Sequence, residues 1–134
     1  MEGKFDFEKE RNDDLMRNFK HLVATTSHIN MPALCRKLVK LPSRRFYVSE
    51  KRAAAVIGRM MKGYDLSDMR PLRAEMFREI YKRVMEMRNT DEKRTKSISH
   101  IVSLVVLQQA PQFYLTENRV HAIICRLRRK MIVT

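Results

Sequence analysis

The segments RRFYVSEKRAAAVIGRM (residues 44–60) and PQFYLTENRVHAIICRL (residues 111–127) follow one pattern. In each, Phe-Tyr precedes a Val or Leu, a hydroxyl residue and a glutamate, with an arginine two places after the glutamate. An offset of 67 residues pairs Phe46 with Phe113, Ser49 with Thr116, Arg52 with Arg119, Ile57 with Ile124 and Arg59 with Arg126. It also pairs Leu34 with Ile101 and Val39 with Val106, and an offset of 61 pairs Leu15 with Met76 and Phe19 with Ile80. The change of offset fits extra loop around TDEKRT. Matched core positions at a long fixed spacing point to a duplicated unit, the strongest constraint this chain places on its fold.

Apolar residues recur mostly at helical spacing, and glycine (3) and proline (4) are scarce. The expected fold class is all-α: six helices at about 8–26, 30–41, 50–63, 71–88, 96–109 and 117–131, forming a duplicated three-helix unit. Asn30, Ser49 and Thr116 are expected N-caps, Pro32 and Pro71 suit first turns, and Gly63 suits a helix end. Residues 1–7 are expected to be an acidic tail, 8–63 the first repeat, 64–70 a linker and 71–131 the second repeat, sharing a core with the first. The Phe-Tyr links are expected to be extended, with Phe46 and Phe113 plugging the core. Paired across a pseudo-twofold, they would make a short two-stranded ribbon.

Charge separates the ends of the chain. The formal net charge is +13, but residues 1–14 hold three basic against six acidic side chains, leaving +16 on the other 120 residues. Such a body attracts polyanions, and nucleic acid is the partner expected first, DNA ahead of RNA. On the third helix, Ala53, Val56, Ile57 and Met60 form the apolar stripe, while Arg52 and Arg59 lie at its edge and Ala55, Gly58 and Lys62 away from it. The last helix repeats this with Arg119, Ala122, Cys125, Arg126 and Arg129. Small residues amid cations let a phosphate backbone approach closely, although the same residues suit close packing of the two halves.

Arg52, Arg59, Lys62, Arg119, Arg126 and Arg129 are therefore the expected phosphate contacts, followed by Arg36, Lys37, Arg44 and Arg45. Helix, connection and basic helix resemble a helix-turn-helix in outline. Tyr47 and Tyr114 are expected to point outward from the links. The alternative is an interaction module, dimeric in one form, that meets an acidic protein through methionine-rich helices (Met16, Met61, Met87).

Other classes find little footing. No Gly-rich phosphate loop exists, and His21, His28, His100 and His121 with two distant cysteines make no zinc pattern. No metal, cofactor or catalytic group is expected. Cys125 and His121 lack an orienting third group, and Asp13 and Asp14 read as charges complementing a helix start. No run of 18 apolar residues suits a membrane span, and the acidic N-terminus lacks the apolar stretch of a signal peptide. Cys35 and Cys125 are expected to be free, buried thiols in a reducing cytoplasm.

The stretch LPSRRFYVSEKRAAAVIGRMMKG, followed by MRPLRAEMFREIYKRV, resembles a family of small basic proteins from gut bacteria. The resemblance spans most of residues 11–127. It implies a bacterial cytoplasmic setting and brings no activity or site residue with it.

Overall fold

The computed structural model describes residues 2–133, with side chains for 7–130, so the side chains of Glu2 and Asp6 in the acidic segment lie outside the described residues. The chain forms six helices: α1 (Glu2–Ala24), α2 (Met31–Leu38), α3 (Glu50–Met61), α4 (Pro71–Thr90), α5 (Ile98–Val105) and α6 (Glu117–Val133). Helix α1 begins earlier than its apolar pattern suggests, because Glu- and Lys-rich turns propagate a helix without an apolar stripe. Helices α2 and α5 are shorter than expected. After each, the amides turn to i−3 carbonyls, as in Lys40 to Lys37 and Gln108 to Val105. Both ends of α2 and α5, and the starts of α3 and α6, fall 67 residues apart.

The caps follow the same spacing. Asn30, Ser49, Ser97 and Thr116 each accept, through a side-chain oxygen, the amide three residues on, at 3.0–3.1 Å. Such caps typically contribute about 1 kcal/mol apiece. Helix α3 stops at Gly63, whose φ is +94°, with Gly63 N–H donating to Met60 and Tyr64 N–H to Arg59. This left-handed turn closes the last open carbonyls and suits glycine.

The apolar residues form two clusters that do not follow the two halves of the sequence. One unites Phe46, Val56 and Ile57 with Phe77, Ile80 and Val84 of α4 and Ile101, Val102 and Val105 of α5. The other unites Leu15 and Phe19 of α1, Leu34 and Leu38 of α2, and Phe113, Val120, Ile123 and Ile124. Accordingly α3 packs on α4 and α5, and α6 packs on α1 and α2. Among the described residues α2 does not pack on α3, nor α5 on α6, which replaces the consecutive helix-turn-helix pairing expected from sequence. Burying a Phe, Leu or Ile side chain stabilises by about 1.5–3 kcal/mol, so these clusters dominate the fold energy.

The links between α2 and α3 and between α5 and α6 make this exchange. They meet at a single antiparallel bridge, Ser43 with Ala110, and the described residues contain no strand. The buried Ser43 hydroxyl lies 2.9 Å from the Arg45 carbonyl and 3.1 Å from that of Gln112, so one side chain ties both links. Phe46 stacks on Tyr114 and Phe113 on Tyr47, each at 6.2 Å between centroids. Each phenylalanine enters a different cluster and is covered by the tyrosine of the opposite link.

Asp14 anchors one link to α1. Its side chain is 3% exposed. It accepts the Tyr47 hydroxyl at 2.6 Å, the Arg44 amide at 2.9 Å and the Arg17 guanidinium at 2.9 Å. Asp14 is thus mid-helix and buried, not a charge at a helix start. Tyr47, expected to face outward, is half-buried with its ring on Phe113 and its hydroxyl committed.

Candidate nucleic-acid interface

A cleft of about 630 Å³ opens between α1, α3, α4 and α6. Its charged lining is Glu8 and Arg11 of α1, Lys51 and Arg52 of α3, Arg73 of α4 and Arg119 of α6. The rest includes Phe7, Tyr47 and Ser49. Among the described residues five cations face one carboxylate, and that carboxylate is already engaged by Arg126 at 3.8 Å.

The cations crowd one another. Burial lowers the Arg11 guanidinium from its ordinary value; Glu8 opposes the shift, and Arg119 and Arg126 add to it by repulsion. Burial also lowers Arg73, and Arg52 adds repulsion. Lys51, Arg52, Arg73 and Arg119 all occupy first helical turns, where the positive end of the dipole opposes a cation by about 0.3–1 kcal/mol each. Side chains and helix ends therefore add to the same positive potential. Glu50 and Glu117 complement the starts of α3 and α6, but neither lines the cleft.

The small-residue faces are open. Ala55 and Ala122 are exposed, and a Cβ built at Gly58 meets no atom within 4 Å. They do not pack the two halves together, which was the competing expectation from sequence.

The residues singled out in the sequence divide into groups. Arg52 and Arg119, which the 67-residue offset pairs, reach one cleft. Arg126 sits nearby with its side chain 41% exposed, paired to Glu8, and its buried Nε meets no hydrogen-bond acceptor among the described residues. Arg59 and Lys62 are exposed at the other end of α3, and Arg129 is exposed near the end of α6. Arg36 and Lys37 are exposed on α2, which packs on α6 and, among the described residues, not on α3.

Arg44 is exposed at its side chain while its amide serves Asp14. Arg45 is structural in its contacts: 14% exposed, it donates to the carbonyls of Phe46 and Val48, pairs with Glu10 at 3.9 Å and covers the Phe7 ring. Of these ten residues, only Arg45 and Arg126 form ion pairs among the described residues.

Sequence reasoning missed Arg11, Lys51 and Arg73 as members of the cleft. The available signal was a cation in a helix's first turn, against the dipole, at Lys51 and Arg73. Arg11 offers no such signal, since it lies in an acidic segment whose contact with α6 is a tertiary fact.

Both cysteines are free. Cys35 is buried, its thiol pushed up by burial, with Cys125 and Glu117 adding to the rise; Cys125 is half-buried. Among the described residues no His, Cys, Asp and Glu cluster suits a metal ion, and no helix is long and apolar enough to cross a membrane. No protein-family model, curated protein or solved structure matches the chain.

Proposed function

We propose that this protein is a non-catalytic nucleic-acid-binding protein of a bacterial cytoplasm, acting first on duplex DNA through its phosphate backbone. The observation that carries the reading is the convergence of Lys51, Arg52 and Arg119, from the starts of α3 and α6, on one cleft with no ion pair among the described residues. Cations placed against helix dipoles without an ion pair of their own cost stability, and an external polyanion offsets that cost. The open Ala55–Gly58 face lets a backbone approach α3 between Arg52, Arg59 and Lys62.

The duplication belongs to this reading. The 67-residue spacing of the caps, of the α2 and α5 ends, and of the Ser43–Ala110 bridge supports two copies of a three-helix unit about a pseudo-twofold. Each third helix has exchanged onto the other copy. A basic helix then pairs with the second helix of the opposite repeat: α3 with α5, and α6 with α2.

The test is anisotropy of labelled random-sequence duplex DNA titrated with protein across a salt series. Micromolar or tighter binding with a steep salt slope counts the phosphates engaged. Absence of binding at low salt to duplex, single strand and RNA alike would remove the reading. The second reading, a protein partner of acidic surface, is favoured by the exposure of Leu104 and Leu107 near the end of α5 and of Met61 on α3. It predicts that binding follows those apolar residues as well as charge.

A further inference from the structure

We propose that the cleft between α1, α3, α4 and α6 is a discrete site for a linear polyphosphate, a triphosphate group above all. The inference shares Lys51, Arg52 and Arg119 with the interface proposed above but does not depend on duplex binding.

Charge density comes first. Among the described residues, Arg11, Lys51, Arg52, Arg73 and Arg119 line the cleft against Glu8 alone, a net charge of +4. A backbone phosphodiester carries one negative charge and its neighbours are spread along the strand, whereas a triphosphate concentrates comparable charge in one compact group. Four of the five cations are arginines, whose planar forks each offer two parallel hydrogen bonds to a phosphate.

Shape gives the same answer. The cleft is concave and its ≈ 630 Å³ lies within the range of small-ligand sites, about 300–1,000 Å³. The rounded side of a duplex can present a backbone phosphate only at the mouth of such a hollow, whereas a slender triphosphate can enter it. The first turns of three helices, α3, α4 and α6, border it and add backbone amide dipoles to the side-chain charge. The repulsion between Arg11 and Arg119, and between Arg73 and Arg52, is what a bound anion would relieve.

The aromatic residues narrow the ligand further. Phe7 has Arg45 over its face, and Tyr47 has its ring on Phe113 and its hydroxyl on Asp14. These contacts engage one face of each ring and the Tyr47 hydroxyl, so the cleft offers a phosphate group more free partners than it offers a base. The triphosphate can come from a free nucleotide or from the 5′ end of an RNA chain, which share that chemistry.

The test is calorimetry with the full chain at fixed ionic strength, titrating inorganic triphosphate, with sulfate as the reference anion. The expected result is one equivalent of triphosphate bound at least about tenfold more tightly than sulfate. The Lys51→Gln/Arg73→Gln double variant, with both residues on helix surfaces, should stay folded by circular dichroism and lose at least about tenfold in triphosphate affinity. Arg59→Gln/Lys62→Gln should leave triphosphate binding unchanged while weakening duplex DNA, which separates this site from the duplex interface.

Binding of ATP and GTP equal to that of inorganic triphosphate would identify free nucleotides as the source. Preference for a 5′-triphosphorylated RNA over both, lost in the 5′-hydroxyl form of the same strand, would identify strand ends. Triphosphate affinity no better than sulfate, many weak equivalents, or undiminished affinity in the folded Lys51→Gln/Arg73→Gln protein would overturn the site.

Discussion

Replacing Asp14 with alanine should destabilise the fold far more than an acidic residue in an acidic segment suggests. Asp14 accepts Tyr47 Oη at 2.6 Å and the Arg44 amide at 2.9 Å, and both donors belong to the link that carries α3 away from α2. Arg17 and Asn18, which also donate to this carboxylate, sit on the same helix and can turn toward water. The Tyr47 hydroxyl and the Arg44 amide have less freedom. A stranded donor costs about 1–3 kcal/mol, and both of these are only partly buried, so the low end applies to each and the total is about 2–3 kcal/mol. That is a large part of the roughly 5–15 kcal/mol that holds an ordinary domain together.

Tyr47→Phe removes one donor and leaves Asp14 its others, so it should cost about 1 kcal/mol. The Asp14→Ala/Tyr47→Phe double variant should cost no more than Asp14→Ala alone, because the two side chains share one bond. Urea unfolding followed by far-ultraviolet circular dichroism measures all four proteins. With a slope of about 1–3 kcal/mol/M, Asp14→Ala should lower the midpoint by about 1–2 M without changing the slope. A midpoint loss equivalent to under about 0.5 kcal/mol, or strict additivity of the two single variants, would refute the anchoring role.

Four further outcomes are expected. Gly58→Ala should raise stability by about 0.5–1 kcal/mol, since glycine inside a helix is costly and the new methyl meets nothing within 4 Å; urea unfolding reads it. Ala55→Glu should fold normally yet weaken duplex DNA binding several-fold in the anisotropy assay, and unchanged affinity would show that the α3 face is not in contact. Glu8→Gln removes the only carboxylate that lines the cleft among the described residues and should tighten triphosphate binding in calorimetry. Alkaline stability should also carry a signature. Burial first, then Asp14, holds the Tyr47 phenol above its ordinary value, and burial first, then Glu79, lifts Tyr114 to about 12. A folded pKa above the unfolded one means a stabilising contribution that is complete below pH about 10 and lost as pH climbs toward the folded value, so the tyrosines' share of the urea midpoint should fall above that point, less steeply in Tyr47→Phe.

What could be read from the chain alone was whatever depends on neighbours in sequence. Ser49 and Thr116 cap helices because a hydroxyl beside a helix start needs only an amide three residues on. Gly63 ends α3 because the left-handed turn is local. The stripe Ala53, Val56 and Ile57 is buried as its spacing requires. Periodicity says which face is buried but not against what, so the exchange of α3 and α6 between clusters was not legible. Asp14 escaped for a related reason: its burial depends on Arg44 and Tyr47, far along the chain. The cleft was half-legible. Arg52 and Arg119 stood out through the repeat, whereas Arg11 and Arg73 joined them only once α1 and α4 had packed.

The exchanged third helices also set an order of events. Helices α3, α4 and α5 are consecutive, so their cluster can close as soon as residue 110 has left the ribosome. The cluster of α1 and α2 has to wait for α6, made after the other five helices. The inner cluster is thus nested within a longer loop, and its closure draws the end of α2 toward the start of α6 by pinning Ser43 beside Ala110. Damage to the inner cluster should therefore unseat both, while damage to the outer one can be confined to it. Hydrogen exchange should find amides of α6 opening before those of α4, and nascent chains lacking α6 should present Leu15, Phe19, Leu34 and Leu38 as a surface for chaperones.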